Sequence, residues 1–346
     1  MNRLILYATV SLVMILSAQS AVAHYPRDFS QPITRIGLGS CNRQDAPQPQ
    51  WSILNQHNLD LWLWLGDNIY ADTEDMEIMR SKYDEQFNRE DYAEFRKAVP
   101  VVGTWDDHDY GENDSGKWYP KKRESQRLLL DFLEEPDHSP RRSRDGAYAA
   151  YTFGPPARQV KFILLDNRYF ADKPGPEADI LGESQWDFLH TELNASTAQF
   201  TFVGSGTQVL ALDQRFENWG NFPQSRRRLL EMIRESRTGG VILLSGDRHI
   251  HEISVVNDES VRYPLIDFTA SGLTHSYSSL KAERNRYRVG PLLSEPGFAL
   301  IVIDWEQKNP TVSLQARDMN DNIRLRLDMS LSSLQPNKDL DNEEGE

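Results

Sequence analysis

The stretch LWLWLGDNIYAD, residues 61–72, constrains the fold of this chain more than any other segment. Its first five residues are all large and apolar, which is typical of a strand buried on both faces of a sheet. Gly66 then allows a sharp turn, so that Asp67 and Tyr70 closely follow the end of the predicted strand. Ligands bind at this edge of an open α/β sheet, and the stretch therefore predicts a site as well as a strand.

Polar residues also follow other predicted strands, in the groups Ser40-Cys41, Asp106-Asp107-His108 and Gly246-Asp247-Arg248-His249. Two further groups, at residues 166–168 and 271–272, are expected to flank them. Any one of these groups alone also fits a capped turn or a buried core residue. Their repetition at four strand ends favours one common site.

The chemistry of these side chains indicates bound metal. Carboxylates that share one strand edge repel one another and resist transfer out of water, and a cation relieves both penalties. Thiolate, phenolate and imidazole groups suit a transition metal, whereas carboxylate oxygens suit a hard cation. Cys41 is the one cysteine of the chain, so no internal disulfide can form, and metal binding would explain a lone thiol in an oxidising compartment.

The order of the predicted elements indicates the fold class. Strands are predicted at residues 33–38, 61–65, 100–104, 148–153, 160–166, 200–205, 240–244 and 263–271, and helices at 51–56, 74–98 with a break near Asn88, 121–133, 181–193 and 225–236. Strands that alternate with helices predict an α/β fold. Residues 298–305, 311–316 and 323–327 read as a closing set of antiparallel strands, which suggests a second sheet.

The two ends of the chain differ in composition from the rest. Residues 4–16 are mostly apolar and Ala21-Val22-Ala23 fits a cleavage site, so residues 1–23 are predicted to be a signal peptide. An uncleaved membrane anchor is the alternative; after cleavage no stable membrane span is expected. Residues 24–336 are expected to form one domain and residues 337–346 an acidic disordered tail, in a periplasmic or secreted protein.

The formal net charge of −14 limits the partners of the chain. The chain has 52 acidic and 38 basic residues, and this acidic excess disfavours a nucleic-acid binding surface and is compatible with the binding of multivalent cations.

These stretches also resemble a known family, the alkaline phosphatase D family of metallophosphatases, which is related to purple acid and calcineurin-like phosphatases. The resemblance lies in GSCNR at 39–43, LGDNIYAD at 65–72, TWDDHDYGEND at 104–114, LLDNR at 164–168, LGESQWDFL at 181–189 and LSGDRHIHE at 244–252. It implies a four-layer α/β/β/α sandwich, in which two mixed sheets are flanked by helices. It also implies a dinuclear or trinuclear centre with Fe³⁺ beside Ca²⁺, other divalent metals remaining possible.

Carried over to this sequence, the resemblance implies a role for each matching residue. The iron ligands would be Cys41, Asp67, Tyr70 and His249. The second metal would be held by Asp67 as a bridge together with Asp107 and Asp247, with Asn113 as a further candidate ligand.

Three other residues would act on the substrate according to the same resemblance. His108 would contact the phosphoryl group or protonate the leaving oxygen, and Arg248 and Arg43 would offset charge on the phosphate.

The metal-binding residues and the family resemblance together imply an exported, metal-dependent phosphoric-ester hydrolase, a phosphomonoesterase in which a metal-bound hydroxide attacks phosphorus. Its substrate would be a small-molecule or lipid phosphate ester. One alternative is a phosphodiesterase or phospholipase with the same centre. Another, from a different class, is a non-catalytic calcium-binding surface protein.

Overall fold

A computed structural model describes residue 26 and residues 28–236, 238–258, 260–280 and 282–336. The predicted signal peptide at 1–23 and the predicted acidic tail at 337–346 lie outside the described residues. Within the described part, no helix is both long enough and apolar enough to cross a membrane.

The described residues form strands and helices that largely follow the predicted order. The strands are β1 (Arg35–Gly39), β2 (Leu61–Leu65), β3 (Val101–Thr104), β4 (Ala149–Phe153), β5 (Val160–Leu164), β6 (Phe200–Ser205), β7 (Val241–Ser245), β8 (His251–Val256), β9 (Leu265–Ala270), β10 (Arg288–Leu293), β11 (Gly297–Asp304), β12 (Thr311–Asp318) and β13 (Ile323–Ser330). The α-helices are α1 (Gln50–Leu54), α2 (Met76–Phe87), α3 (Glu90–Ala98), α4 (Asp107–Tyr110), α5 (Lys122–Phe132), α6 (Glu183–Asn194) and α7 (Pro223–Glu235).

The strands form two mixed sheets. One has six strands in the order β13-β12-β11-β1-β2-β3, and the other has seven in the order β10-β8-β9-β7-β6-β5-β4. Strands β1, β2 and β3 run parallel in the first sheet, and β5, β6, β7 and β9 run parallel in the second. The carboxyl ends of these parallel strands carry the predicted polar groups.

Strand β2 shows why the two sheets form layers. All five of its residues are buried, as the continuous apolar run predicts. Leu61, Leu63 and Leu65 belong to the apolar core shared with the second sheet. Trp62 and Trp64 point to the opposite face, where their rings lie 5.1 and 5.5 Å from the ring of Trp51 in α1. Because successive side chains of a strand point to opposite faces of the sheet, this one hydrophobic segment contributes to two cores. The predicted four-layer fold is confirmed.

The closing strands β11, β12 and β13 correct one prediction. They do not make a second sheet but extend the first, because β11 pairs antiparallel with β1, with Ile301 opposite Ile36. The second sheet is built from strands in the middle of the chain, β4 to β10.

Two strands of the second sheet were not predicted. Strand β8 has the sequence HEISVV, whose buried His251, Glu252 and Ser254 conceal the usual apolar pattern. Strand β10, at the edge of the sheet, contains a glycine and a proline, which are typical of edge strands and turns.

The chain turns sharply just beyond β2, at Gly66, where it passes close to the residues that follow the neighbouring strand β3. This residue has φ +97°, and a Cβ atom there would lie 2.5 Å from the Cβ of Asp106. The sharp turn expected at Gly66 is therefore required both by backbone conformation and by the space that Asp106 occupies.

We predict that Gly66→Ala lowers the free energy of unfolding by about 2–3 kcal/mol, because the added methyl group is strained and collides with Asp106. Gly175→Ala is the control, since its Cβ would meet no atom closer than 3.9 Å. Urea unfolding measured by circular dichroism checks both variants. Equal stability of Gly66→Ala and the wild type would contradict the turn geometry described here.

Candidate metal centre

Four of the candidate ligands have left-handed backbone conformations. Cys41, Asp67, Asp247 and His249 have φ values of 57°, 50°, 66° and 52°. Such conformations are uncommon for residues other than glycine, and they persist only where the surrounding structure holds them. Each of these residues follows a strand closely, so the turns aim all four side chains at the gap between the sheets.

The first group of ligand atoms contains a thiol, a carboxylate, a phenol and an imidazole. The Cys41 Sγ and the Tyr70 hydroxyl each lie 3.2 Å from Oδ2 of Asp67. The Tyr70 hydroxyl is also 3.0 Å from Nε2 of His249. Ligand atoms of Cys41, Asp67 and His249 lie within 4.8 Å of one another, which is close enough to share one ion.

Ser271 holds this group in place. Its Oγ lies 3.0 Å from the Cys41 Sγ and accepts the backbone N–H of His249 at 2.6 Å. A short turn after β9 thereby joins the ends of β1 and β7.

Two further groups, made mostly of carboxylates, adjoin the first. Asp67, Asp107 and His108 form one, and Asp106, Asp107 and Asp247 form the other, each with ligand atoms within 4.8 Å. Asp67 belongs to two of the three groups and can therefore bridge two ions, as the sequence predicts.

Two buried oxygens support metal binding independently of the distances. Oδ1 of Asp67 and Oδ2 of Asp106 make no hydrogen bond with the described residues. An unpaired buried carboxylate oxygen is costly, and a cation would satisfy it. The residues present therefore fit a centre that holds more than one metal ion.

The electrostatics of the protein without metal agree with this view. Burial, followed by repulsion from Asp107, raises the pKa of Asp67 well above its usual value and that of Asp247 to about 7. Burial and the charge of Asp67 also raise the pKa values of the Cys41 thiol and the Tyr70 phenol. These groups retain protons until a cation displaces them.

The histidines at the site differ in charge. Burial, together with repulsion from His275 and His108, lowers the pKa of His249 to about 3, so its imidazole is neutral and able to ligate a metal. Burial alone would lower the pKa of His108, but Asp72, Asp67 and Asp107 raise it to about 10. Nδ1 of His108 lies 2.8 Å from Oδ1 of Asp72. His108 is thus a cation beside the ligand groups, and Asp72 fixes the orientation of its ring.

Asp109 organises the backbone beneath the ligands. One of its oxygens accepts the N–H groups of Asp67 and Asp106 at 3.2 and 2.8 Å, and the other accepts that of Asn68 at 3.1 Å. The repeated carboxylates of the DDHD sequence thus have different tasks, because Asp109 binds backbone while Asp106 and Asp107 face the cluster.

The remaining predicted residues lie around the cluster. The buried Arg248 donates to Glu283 at 2.6 Å and its guanidinium carbon lies 4.3 Å from the centre of the Phe216 ring. Arg43 is exposed and pairs with Asp45 at 3.2 Å. Asn113 is an exposed turn residue next to Asp114.

The sequence prediction missed the role of Arg168. This arginine is almost fully buried, donates to Oδ1 of Asp106 at 2.6 Å and lies 4.0 Å from Asp107. It also pairs with Glu217 at 2.5 Å. The polar residues at the end of the LLDNR segment could have revealed this role, but the sequence predicts only that they flank the site.

His275 was missed as well. Its ring lies 4.3 Å from that of His249 and 5.1 Å from that of Tyr70. It follows the Ser271-Gly272 turn, so the same strand end could have revealed it.

A fold of two mixed sheets with a carboxylate-rich centre at their edge defines a metallophosphatase-like protein. A sequence profile described as PhoD-like phosphatase matches residues 37–289 of this chain. The chain therefore belongs to the PhoD-like phosphatase family, and the resemblance predicted from the sequence is confirmed.

One curated protein is similar to this chain at low sequence identity. Alkaline phosphatase D of Bacillus subtilis (strain 168) is 25% identical over 276 residues, which cover 63% of this chain and 46% of that protein. The chain thus spans about half the length of this curated relative.

Two solved structures show the same fold. A structure of PhoD is similar with a TM-score of 0.73 and 17% identity, covering 90% of this chain and 73% of that one. A structure described as GAP50, the anchor in the inner membrane complex of Plasmodium, has a TM-score of 0.58 and 13% identity, covering 89% and 90% of the two chains.

We predict that Asp247→Asn stabilises the metal-free protein relative to the wild type as the pH rises. The pKa of Asp247 is raised from 3.8 to about 7 in the folded state, so its contribution to stability is complete below pH 4 and is lost as pH rises to 7. Asparagine does not titrate, and the difference in unfolding free energy should grow by up to about 1.4 kcal/mol per pH unit in that interval.

Urea unfolding in a chelator at pH 5 and pH 8 measures this difference. Asp187→Asn, at an exposed position of α6, is the control and should show no such trend. Added divalent cation should stabilise the wild type more than Asp247→Asn. A difference that does not change with pH would contradict the buried-carboxylate interpretation.

Proposed function

We propose that this protein is an exported phosphomonoesterase that uses a centre containing iron and calcium. The observation that carries the proposal is the meeting of a thiol, a phenol, an imidazole and a carboxylate around Oδ2 of Asp67 and Nε2 of His249. Such a donor set suits a transition metal, and the adjoining carboxylates suit a hard cation.

In this proposal two sets of residues hold the ions. Cys41, Asp67, Tyr70 and His249 would bind the iron, while Asp67, Asp107 and Asp247 would bind the calcium. The metals would supply two kinds of chemistry, polarisation of the phosphoryl oxygens and a lowered pKa for the attacking water.

The protein's own residues would complete the reaction. His108, protonated and oriented by Asp72, would donate a proton to the oxygen of the leaving alcohol. Arg168 would hold Asp106 and Asp107 in place through its contacts of 2.6 and 4.0 Å. Arg248 lies next to the ligands Asp247 and His249 and would add positive charge on the side where the phosphate binds.

Export is supported by the composition of the leader. The proposal places the mature N-terminus at His24, and N-terminal sequencing of protein recovered outside the cytoplasm tests it, because an intact Met1 would contradict it.

Two other functions are compatible with the fold. A phosphodiesterase or phospholipase would cleave bis-(p-nitrophenyl) phosphate faster than p-nitrophenyl phosphate. A non-catalytic role is suggested by the similar fold of the Plasmodium protein described as an anchor, since one fold can host unrelated functions. The Cys41–Tyr70–His249 group favours catalysis, because a calcium-binding surface protein needs neither a thiol nor a phenol.

We predict that the metal-loaded wild type absorbs visible light and that Tyr70→Phe loses this band, because the band arises from a phenolate bound to iron. The measurement is the absorption spectrum together with the metal content of the same samples. Tyr92→Phe is a suitable control, since Tyr92 is fully buried and bonds Trp64 instead of the cluster. Active but colourless, iron-free wild type would show that a different metal occupies the centre.

We predict that His108→Asn lowers kcat/KM about 10²- to 10⁴-fold for alkyl phosphates and much less for p-nitrophenyl phosphate, whose leaving group needs no proton. His57→Asn is the matched control, because His57 forms a similar pair with Asp321 at 2.9 Å away from the centre. An equal loss for both substrates would assign His108 to phosphate binding rather than to proton donation.

A further inference from the structure

A second charged site lies on the surface formed by helix α5 and the loop at residues 141–145. There a cavity of about 260 Å³ is lined by four arginines, Arg123, Arg127, Arg142 and Arg144. Asp145 is the acidic residue among the lining side chains. This concentration of positive charge is unexpected in a chain with 52 acidic and 38 basic residues, and none of the four arginines belongs to the metal centre.

Two of the arginines already pair with carboxylates. Arg123 pairs with Asp145 at 2.7 Å, and Arg142 pairs with Asp131 at 2.7 Å. The other two, Arg127 and Arg144, form no ion pair with a carboxylate in the part of the chain that the structure describes.

Arg144 is the most constrained of the four arginines. Its Nε atom is buried and makes no hydrogen bond with the described residues. Its guanidinium lies over the ring of Tyr148, with the central carbon 3.8 Å from the ring centre. Burial lowers the pKa of this guanidinium, and repulsion from Arg141 lowers it further. The guanidinium also donates to the backbone carbonyl oxygen of Tyr148, so it is fixed at the cavity wall, and an anion in the cavity would gain from its positive charge.

The cavity is a built feature and not a chance meeting of long side chains. Gln126 of α5 is buried and donates to the carbonyl oxygens of Arg141, Arg144 and Gly146 at 2.8, 2.9 and 3.1 Å. It also accepts the N–H of Gly146 at 3.1 Å. These four bonds fix the loop against the helix, so the arginines from both elements face one space in a defined arrangement.

We propose that this arginine cavity binds a phosphate group, either as free inorganic phosphate or as the terminal phosphate of an anionic lipid. Guanidinium groups match the tetrahedral oxygens of phosphate with paired hydrogen bonds and remain charged at every physiological pH. The site is separate from the metal centre, so the proposal does not depend on the catalytic function.

The test is a calorimetric titration with inorganic phosphate of the wild type, Arg127→Gln and the double variant Arg127→Gln/Arg144→Gln. Each protein is titrated with metal bound and again in a chelator, because a phosphate site at the metal centre depends on metal and the arginine cavity does not. Arg326→Gln is the control, since it removes the same charge from an exposed position on β13, where Arg326 pairs with Asp328.

We expect a metal-independent site in the wild type and in Arg326→Gln. Its affinity should fall about tenfold in Arg127→Gln and further in the double variant. Because Arg127 is exposed and makes no described ion pair, its replacement should leave folding intact even where the double variant is less stable.

The lipid source is tested with vesicles of phosphatidic acid in phosphatidylcholine. Flotation with these vesicles, lost in Arg127→Gln and absent with pure phosphatidylcholine, would identify a lipid headgroup as the ligand. Phosphate binding without flotation would identify free phosphate. The proposal is overturned if neither probe binds the wild type without metal, or if Arg127→Gln and Arg326→Gln weaken binding equally.

Discussion

The mutual repulsion of carboxylates buried between the two sheets is the constraint on which the structure of the site depends. Asp67, Asp106 and Asp107 are buried and Asp247 is partly buried, with ligand atoms a few ångströms apart. Arg168 and His108 provide positive charge beside them, but two cations do not balance four carboxylates. The balance is restored by protons in the metal-free protein and by metal ions in the loaded one. One oxygen of Asp67 and one of Asp106 make no hydrogen bond with the described residues, which agrees with a need for bound cations or protons.

The fold maintains this unfavourable arrangement through its rigid surroundings. Four of the site residues have left-handed backbone conformations, which cost energy and would relax if the flanking strands were free to move. The strands are held by two apolar cores, one between the sheets and one around Trp51, Trp62 and Trp64. Asp109 and Ser271 hold the ligand residues in place, since Asp109 accepts the backbone N–H groups of Asp67 and Asp106 and Ser271 accepts that of His249.

Acidic and basic side chains are concentrated in different parts of the molecule. The carboxylates are concentrated where metal would bind, and four arginines are concentrated in a separate cavity beside α5. The structural relatives share the fold of this protein, yet one is described as PhoD and another as an anchor. What a member of this fold does is therefore decided by the side chains at the strand ends and on the loops.

The sequence alone determined the fold class, the strand ends that carry polar residues and the family, because each of these depends on local patterns. The seven residues LWLWLGD, for example, are enough to predict both a buried strand and the turn that follows it. Contacts between distant segments were decided by the tertiary structure. The tertiary structure pairs β11 with β1 and brings Arg168 to Asp106, 62 positions away in the sequence. It also places Arg144 and Arg127 in the lining of one cavity. The physical reason is that a side chain's partner depends on how the sheets pack, and no periodicity in the chain records which distant residue that packing brings near.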